Sequence, residues 1–325
     1  MQFPLHFLMR FGKVRGLSQA LCDHVEANAR LEKSVNSLEA KLFKYEQVVQ
    51  LMAGELRALR NGQQHDLLPI MMFSSDKKSG ETAKRIFSLL RPMDVVNGRL
   101  IRRGGRNDGG YVMLDADVEM ALAYSLGISN DVAWDLDMAA AGYTVYKYDG
   151  SIASLPVTHP AFRWFKLMVG TRTGIDTITL ADAIDRNGHS TCDSLVLKMD
   201  IETAEWDVFQ TMSQRTLSKC SQIIVELHCV YPSDYDWMAK IEAVLCKLNR
   251  SHQVIHLHAN NYGCLGVMGG VVMPGTFEVT YARRRDHEFT ETKKVFPTIL
   301  DAPCRADAPD FYLGPLGAVP EYVCS

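Results

Sequence analysis

Residues 195–209 read LVLKMDIETAEWDVF. The run is apolar from Leu195 to Leu197 and again at Met199, and it breaks at Asp200 into a segment of helical character. A strand that is apolar on both faces is covered by helices on both sides, the situation of a central parallel strand in an α/β sheet. Carboxylates crowd its end: Asp200, Glu202, Glu205 and Asp207 lie within eight residues. Acids at the start of a helix suit its dipole, which accounts for Glu205 and Asp207. Glu202 is intermediate between that role and a contact with a site. Asp200 sits at the strand end itself, where α/β sheets bind their ligands.

The same alternation extends in both directions. Strand candidates are 121–127, 144–149, 163–169, 194–200, 221–228 and 253–258, with helix candidates at 130–141, 178–187, 203–218 and 235–249. A last strand candidate, TFEVTYARR (276–284), follows GCLGVMGGVVMPG, which is too short and too glycine-rich for a crossover helix. This strand is therefore expected to run antiparallel. The fold class is α/β, a doubly wound and mostly parallel sheet. Residues 286–325 read as a tail.

The first sixty residues differ. Positions 14, 21, 28, 35, 42, 49 and 56 hold Val, Leu, Asn, Val, Leu, Val and Leu. Positions 17, 24, 31, 38, 45, 52 and 59 hold Leu, His, Leu, Leu, Tyr, Met and Leu. This heptad register predicts a coiled coil, and hence a homo-oligomer. The expected divisions are a coiled-coil stalk at 1–62, a linker and lead-in helix at 63–98, the α/β domain at 99–285 and the tail at 286–325.

The 325-residue chain is 47% hydrophobic, with a net charge of -3. A balanced charge gives no reason to expect nucleic acid, which needs clustered cations. No run approaches the roughly 18 apolar residues of a membrane span. Eight cysteines with no C-x-x-C spacing read as reduced thiols in a cytoplasmic protein.

Residues just after each strand are the site candidates. Gly127 ends the first strand, with Ser129 or Asn130 placed to cap the next helix. Asp149 ends the second, at a spacing that suits the hydroxyls of a ribose. Asp200, Glu226 and His228 end the fourth and fifth. Together they suit general-base chemistry on a hydroxyl, or a divalent cation. His256 and His258 read as satisfied histidines or substrate contacts before they read as a metal pair.

KMDIETAEWDVF (198–209), GGRNDGGYVM (104–113), YSLGISNDVAWD (124–135), IIVELH (223–228) and HANNYG (258–263) resemble segments of FkbM-type S-adenosylmethionine-dependent methyltransferases. The likeness covers about 99–284. It implies a seven-stranded Rossmann-like sheet of the class I methyltransferase type and S-adenosylmethionine as cofactor. It also implies transfer to a hydroxyl, often of a sugar or glycan. By the resemblance, Tyr111, Gly127 and Asn130 lie near the cofactor, Asp149 holds its ribose, and Asp200 lies between cofactor and acceptor. The expected chemistry assigns the base to Asp200 or His228, with Glu226 orienting. Thr203 stands where the family usually has glycine. The rival reading is a catalytically inactive scaffold assembled by the coiled coil.

Overall fold

A computed structural model describes residues 70–115, 121–230 and 235–316. The expected coiled coil lies outside them. The seven strands of the main sheet are β1 (Leu122–Leu126), β2 (Thr144–Tyr148), β3 (Phe162–Phe165), β4 (Leu195–Met199), β5 (Cys220–Leu227), β6 (His252–Ala259) and β7 (Phe277–Arg283). Their order across the sheet is 3-2-1-4-5-7-6. β1 to β5 pair parallel, while β7 runs antiparallel to both neighbours, β5 and β6. The expected antiparallel last strand is therefore present, but it is inserted between β5 and β6. The glycine-rich connection forms a hairpin, Leu265–Met268 with Val271–Pro274, which returns the chain tightly enough for β7 to enter beside β6.

Among the described residues six α-helices accompany this sheet: α1 (Lys77–Leu89), α2 (Ala133–Ala140), α3 (Leu180–Arg186), α4 (Glu205–Thr211), α5 (Gln214–Leu217) and α6 (Tyr235–Asn249). The helix expected over 203–218 is split into α4 and α5, because Ser213 caps a fresh start at Thr216 N. Strand alternation sorts the core. Leu195, Leu197 and Met199 of β4 join Ile223, Val225 and Leu227 of β5 in one cluster with α1, α3, α4 and α6. Val196 and Ile224 face the other way, onto Trp134 and Met138 of α2. The strand read as buried on both faces is so.

The second face is not apolar throughout. Beyond Ile224 it carries Glu226, which is in register with Glu278 of β7, and Glu278 is in turn in register with His258 of β6. All three are at most 5% exposed. A hairpin, Leu100–Gly104 with Gly110–Leu114, borders this face: Thr280 Oγ1 donates to Val112 O, and Gln222 exchanges bonds with Leu114 N and O. The tail reaches this face through Cys304, whose Sγ donates to Glu278 Oε1 at 3.2 Å, while Phe311 and Leu316 join the first cluster. Cys304, Phe311 and Leu316 are buried, so residues 286–316 are part of the packing and not an appendage. Among the described cysteines, Cys192, Cys220, Cys229, Cys264 and Cys304 are free.

Candidate active site

The carboxyl ends of β1, β2, β4 and β5 meet where the strand order reverses, between β1 and β4. Gly127 has φ +77°, and a Cβ there would lie 1.6 Å from the carbonyl oxygen of Asp200. Only glycine lets the two strand ends approach so closely. The glycine therefore serves the packing of β1 on β4, a role different from the ligand approach read in the sequence. Neither Ser129 nor Asn130 caps α2. The N-cap position is Val132, which makes no side-chain capping bond, and Asp131 Oδ1 accepts from Ala133 N at 2.7 Å in the turn before it. Ser129 and Asn130 are exposed on the loop.

Asp149 holds that loop. Its Oδ2 accepts from Ile128 N and Ser129 N at 2.8 and 2.9 Å. Its Oδ1 accepts from the backbone N and hydroxyl of Ser151. Burial works against the charge, yet these bonds outweigh it and hold the carboxyl below its usual range. Four accepted bonds nearly fill a carboxylate. A ribose hydroxyl fits by replacing the exposed Ser151 hydroxyl, one O–H donor for another. That leaves room for one ribose hydroxyl at Oδ1, where the sequence suggested two.

Asp200 is the open group. Its side chain is 26% exposed. Tyr111 donates to its Oδ2 at 3.4 Å, Lys198 Nζ stands 3.9 Å away, and His228 Nε2 lies 4.0 Å from Oδ1. Tyr111, placed near a cofactor by resemblance, is buried against this carboxylate. Lys198 is held by Gly127 O at 3.0 Å and lies over the Tyr111 ring.

His228 is not a free base. Burial opposes its charge, but Glu205, hydrogen-bonded to Nδ1 at 3.1 Å, and the charges of Glu226 and Asp200 prevail and raise it to about 9. At neutral pH it is an imidazolium, a donor only. This leaves Asp200 as the base of the pair. Glu226 does not orient His228 either. Burial, with Asp200 and Glu278 nearby, pushes it well above the carboxylate range, and Asn260 donates to it at 2.6 Å. The orienting residue is Glu205, which sequence reasoning had assigned to the helix. It is fully buried and accepts from both His228 N and Nδ1. Only a tertiary contact across 23 residues separates it from an ordinary first-turn acid.

Ligand atoms of Asp200, Glu226 and His228 lie within 4.8 Å of one another, so the set can also close on a divalent cation once His228 loses its proton.

The turn that carries Asp200 into α4 explains Thr203. Ala204 N bonds to Ile201 O at 3.3 Å, and the two residues between, Glu202 and Thr203, have φ of 54° and 77°. Both central residues of the turn are left-handed, the reason a glycine suits the place. Thr203 keeps the conformation at a cost in strain, since a β-branched residue resists positive φ. Its side chain is exposed. Thr203→Gly is therefore expected to stabilise the protein by about 1 kcal/mol, relief of left-handed strain less the added chain entropy. Urea unfolding midpoints of the two proteins measure it; a lower midpoint for the glycine variant would refute the strain.

Comparison with known proteins gives residues 115–251 as a match to the family model of the methyltransferase FkbM domain. The chain is 28% identical over 122 residues to the probable methyltransferase-like protein 24 of Homo sapiens and 30% identical over 122 residues to that of Rattus norvegicus. Each match covers 34% of this chain and 33% of the relative, so the chain spans about a third of the length of these curated proteins. Among solved structures, a putative hemolysin from Streptococcus thermophilus aligns with TM-score 0.31 at 10% identity, covering 54% of this chain and 71% of that one. A putative methyltransferase from an antibiotic biosynthesis pathway of Anabaena variabilis aligns at 0.25 and 12%, covering 44% and 61%. A SAM-dependent methyltransferase from Agrobacterium tumefaciens aligns at 0.25 and 11%, covering 52% and 57%.

Proposed function

We propose, from the premise that residues 115–251 are a methyltransferase FkbM domain, that the protein transfers a methyl group from S-adenosylmethionine to a hydroxyl of a sugar or glycan. The observation that carries this reading is Asp200: a part-exposed carboxylate at the switch point, flanked by the donors Tyr111, Lys198 and His228. The cofactor supplies a methyl group already activated by its sulfonium. Asn130 and Asp149 bind it along the loop after β1, where Gly127 lets β1 and β4 close together, with Asp149 taking one ribose hydroxyl. The acceptor hydroxyl then sits at Asp200. Transfer would form the oxygen–methyl bond as the sulfonium–methyl bond breaks, the sulfur leaving as a neutral thioether, and Asp200 would take the acceptor's proton. Tyr111 and Lys198 hold that carboxylate in place. His228, itself held by Glu205, adds positive charge beside it. Should a divalent cation occupy Asp200, Glu226 and His228, it would polarise the acceptor oxygen at the same place.

Calorimetry with S-adenosylmethionine, followed by methyl-transfer assays on sugar nucleotides and glycans with and without chelator, tests the proposal. Binding with turnover supports it. Absence of binding overturns it in favour of the inactive scaffold, and loss of turnover in chelator favours the metal scheme. The left-handed turn at Thr203 preserves the shape that glycine would take, so that substitution lends the scaffold no support. The expected homo-oligomer through 1–62 is read by light scattering on the full chain. None of the described helices is long and apolar enough to cross a membrane.

A further inference from the structure

Behind the Asp200 rim, the polar row of the second face ends in three groups from three segments. His258 comes from β6, Glu278 from β7 and Cys304 from the tail. They are 1%, 4% and 2% exposed. His258 Nδ1 lies 2.8 Å from Glu278 Oε2, Cys304 Sγ lies 3.2 Å from Glu278 Oε1, and the sulfur is 4.0 Å from His258 Nδ1. The other ring nitrogen of His258 is fixed: Nε2 stands 3.1 Å from each carboxylate oxygen of Asp310.

We infer that His258, Glu278 and Cys304 form a binding site for a divalent transition metal of the zinc class. This goes beyond the methyl-transfer reading and does not depend on it. One nitrogen, one oxygen and one sulfur donor is a set that zinc accepts and that magnesium or calcium does not. Bond lengths of about 2.0–2.3 Å to a tetrahedral zinc place ligand atoms roughly 3.3–3.6 Å apart. The observed separations, 2.8 to 4.0 Å, bracket that spacing. The Asp310–His258 pair has the form of the carboxylate–histidine contact that orients metal-binding imidazoles. Further oxygen donors stand beside the set: ligand oxygens of Asp108, Glu226 and Glu278 lie within 4.8 Å of one another.

The site joins the tail to the sheet. Uptake of the metal takes a proton from His258 Nδ1 and one from the Cys304 thiol, so both leave as the M–N and M–S bonds form.

The experiment uses the full chain, stripped with chelator and titrated with Co²⁺, then Zn²⁺. Cobalt bound through a thiolate gives a sulfur-to-metal charge-transfer band in the near ultraviolet. The Asp200/Glu226/His228 set has no sulfur and cannot give that band. The expected result is a band that saturates at one equivalent, is displaced by Zn²⁺, is lost in Cys304→Ser and is kept in Asp200→Asn. Asp310→Asn should weaken Zn²⁺ binding about 10–100-fold. No band in the wild type, a band that survives Cys304→Ser, or unchanged Zn²⁺ affinity in Asp310→Asn would each overturn the site. The last variant keeps the test decisive where Cys304→Ser does not fold.

Discussion

Asp200→Asn is expected to lower methyl transfer by about 10²–10⁴-fold, the usual contribution of a positioned general base. The substitution keeps the shape of the side chain, and Tyr111 can still donate to the remaining carbonyl oxygen. What disappears is the ability to take the acceptor's proton. Cofactor affinity should change little, since the groups assigned to it lie on the loop after β1 and at Asp149. Turnover and calorimetry on the same preparation separate these effects. Turnover that survives at wild-type level would remove Asp200 from the chemistry. Loss of cofactor binding would move it into the cofactor site. His228 offers no replacement base near neutral pH, because it remains protonated up to about 9.

Asp135→Ala is expected to cost about 3–5 kcal/mol of stability, the range for breaking a buried ion pair by removing one partner. Asp135 is on α2 and Lys147 on β2. The two side chains are 4% and 0% exposed, and they form a direct hydrogen bond. Lys147 Nζ also lies 4.5 Å from the centre of the Phe162 ring. Without Asp135 the ammonium keeps the ring but loses its charge partner. The pH dependence has a definite sign. Burial lowers the Lys147 pKa, and Asp135 opposes that shift. In the variant the folded state sheds this proton more readily than the unfolded chain, so the unfolded state binds more protons and stability rises with pH. The deficit should be largest near neutrality and narrow as pH approaches about 10.4, the free lysine value. Denaturant unfolding at several pH values measures it. A deficit under 1 kcal/mol, or one that widens with pH, would refute the account.

The strands were legible because each is a short apolar run bounded by polar turns, and β4, apolar on both faces, could only be central. The antiparallel sense of β7 followed from the absence of a helix before it. Its insertion between β5 and β6 was not legible, since strand order depends on how a hairpin folds back, and no local pattern encodes that. Asp200 was legible for the same reason as β4: it ends the strand that the architecture places beside the ligand. Glu205 was not, because a buried acid that orients His228 and an exposed first-turn acid have the same sequence surroundings.

The chain's own residues thus determined the α/β class, the set of strands and the rim on which Asp149, Asp200 and His228 stand, because periodicity and strand ends are local properties. Tertiary structure alone decided which acids are buried, which one holds His228, and that Cys304 and Asp310 of the tail meet His258 and Glu278 of the sheet. Protonation and partnership depend on burial and on distances between segments far apart in the chain, and those exist only once the sheet and the tail have closed on each other.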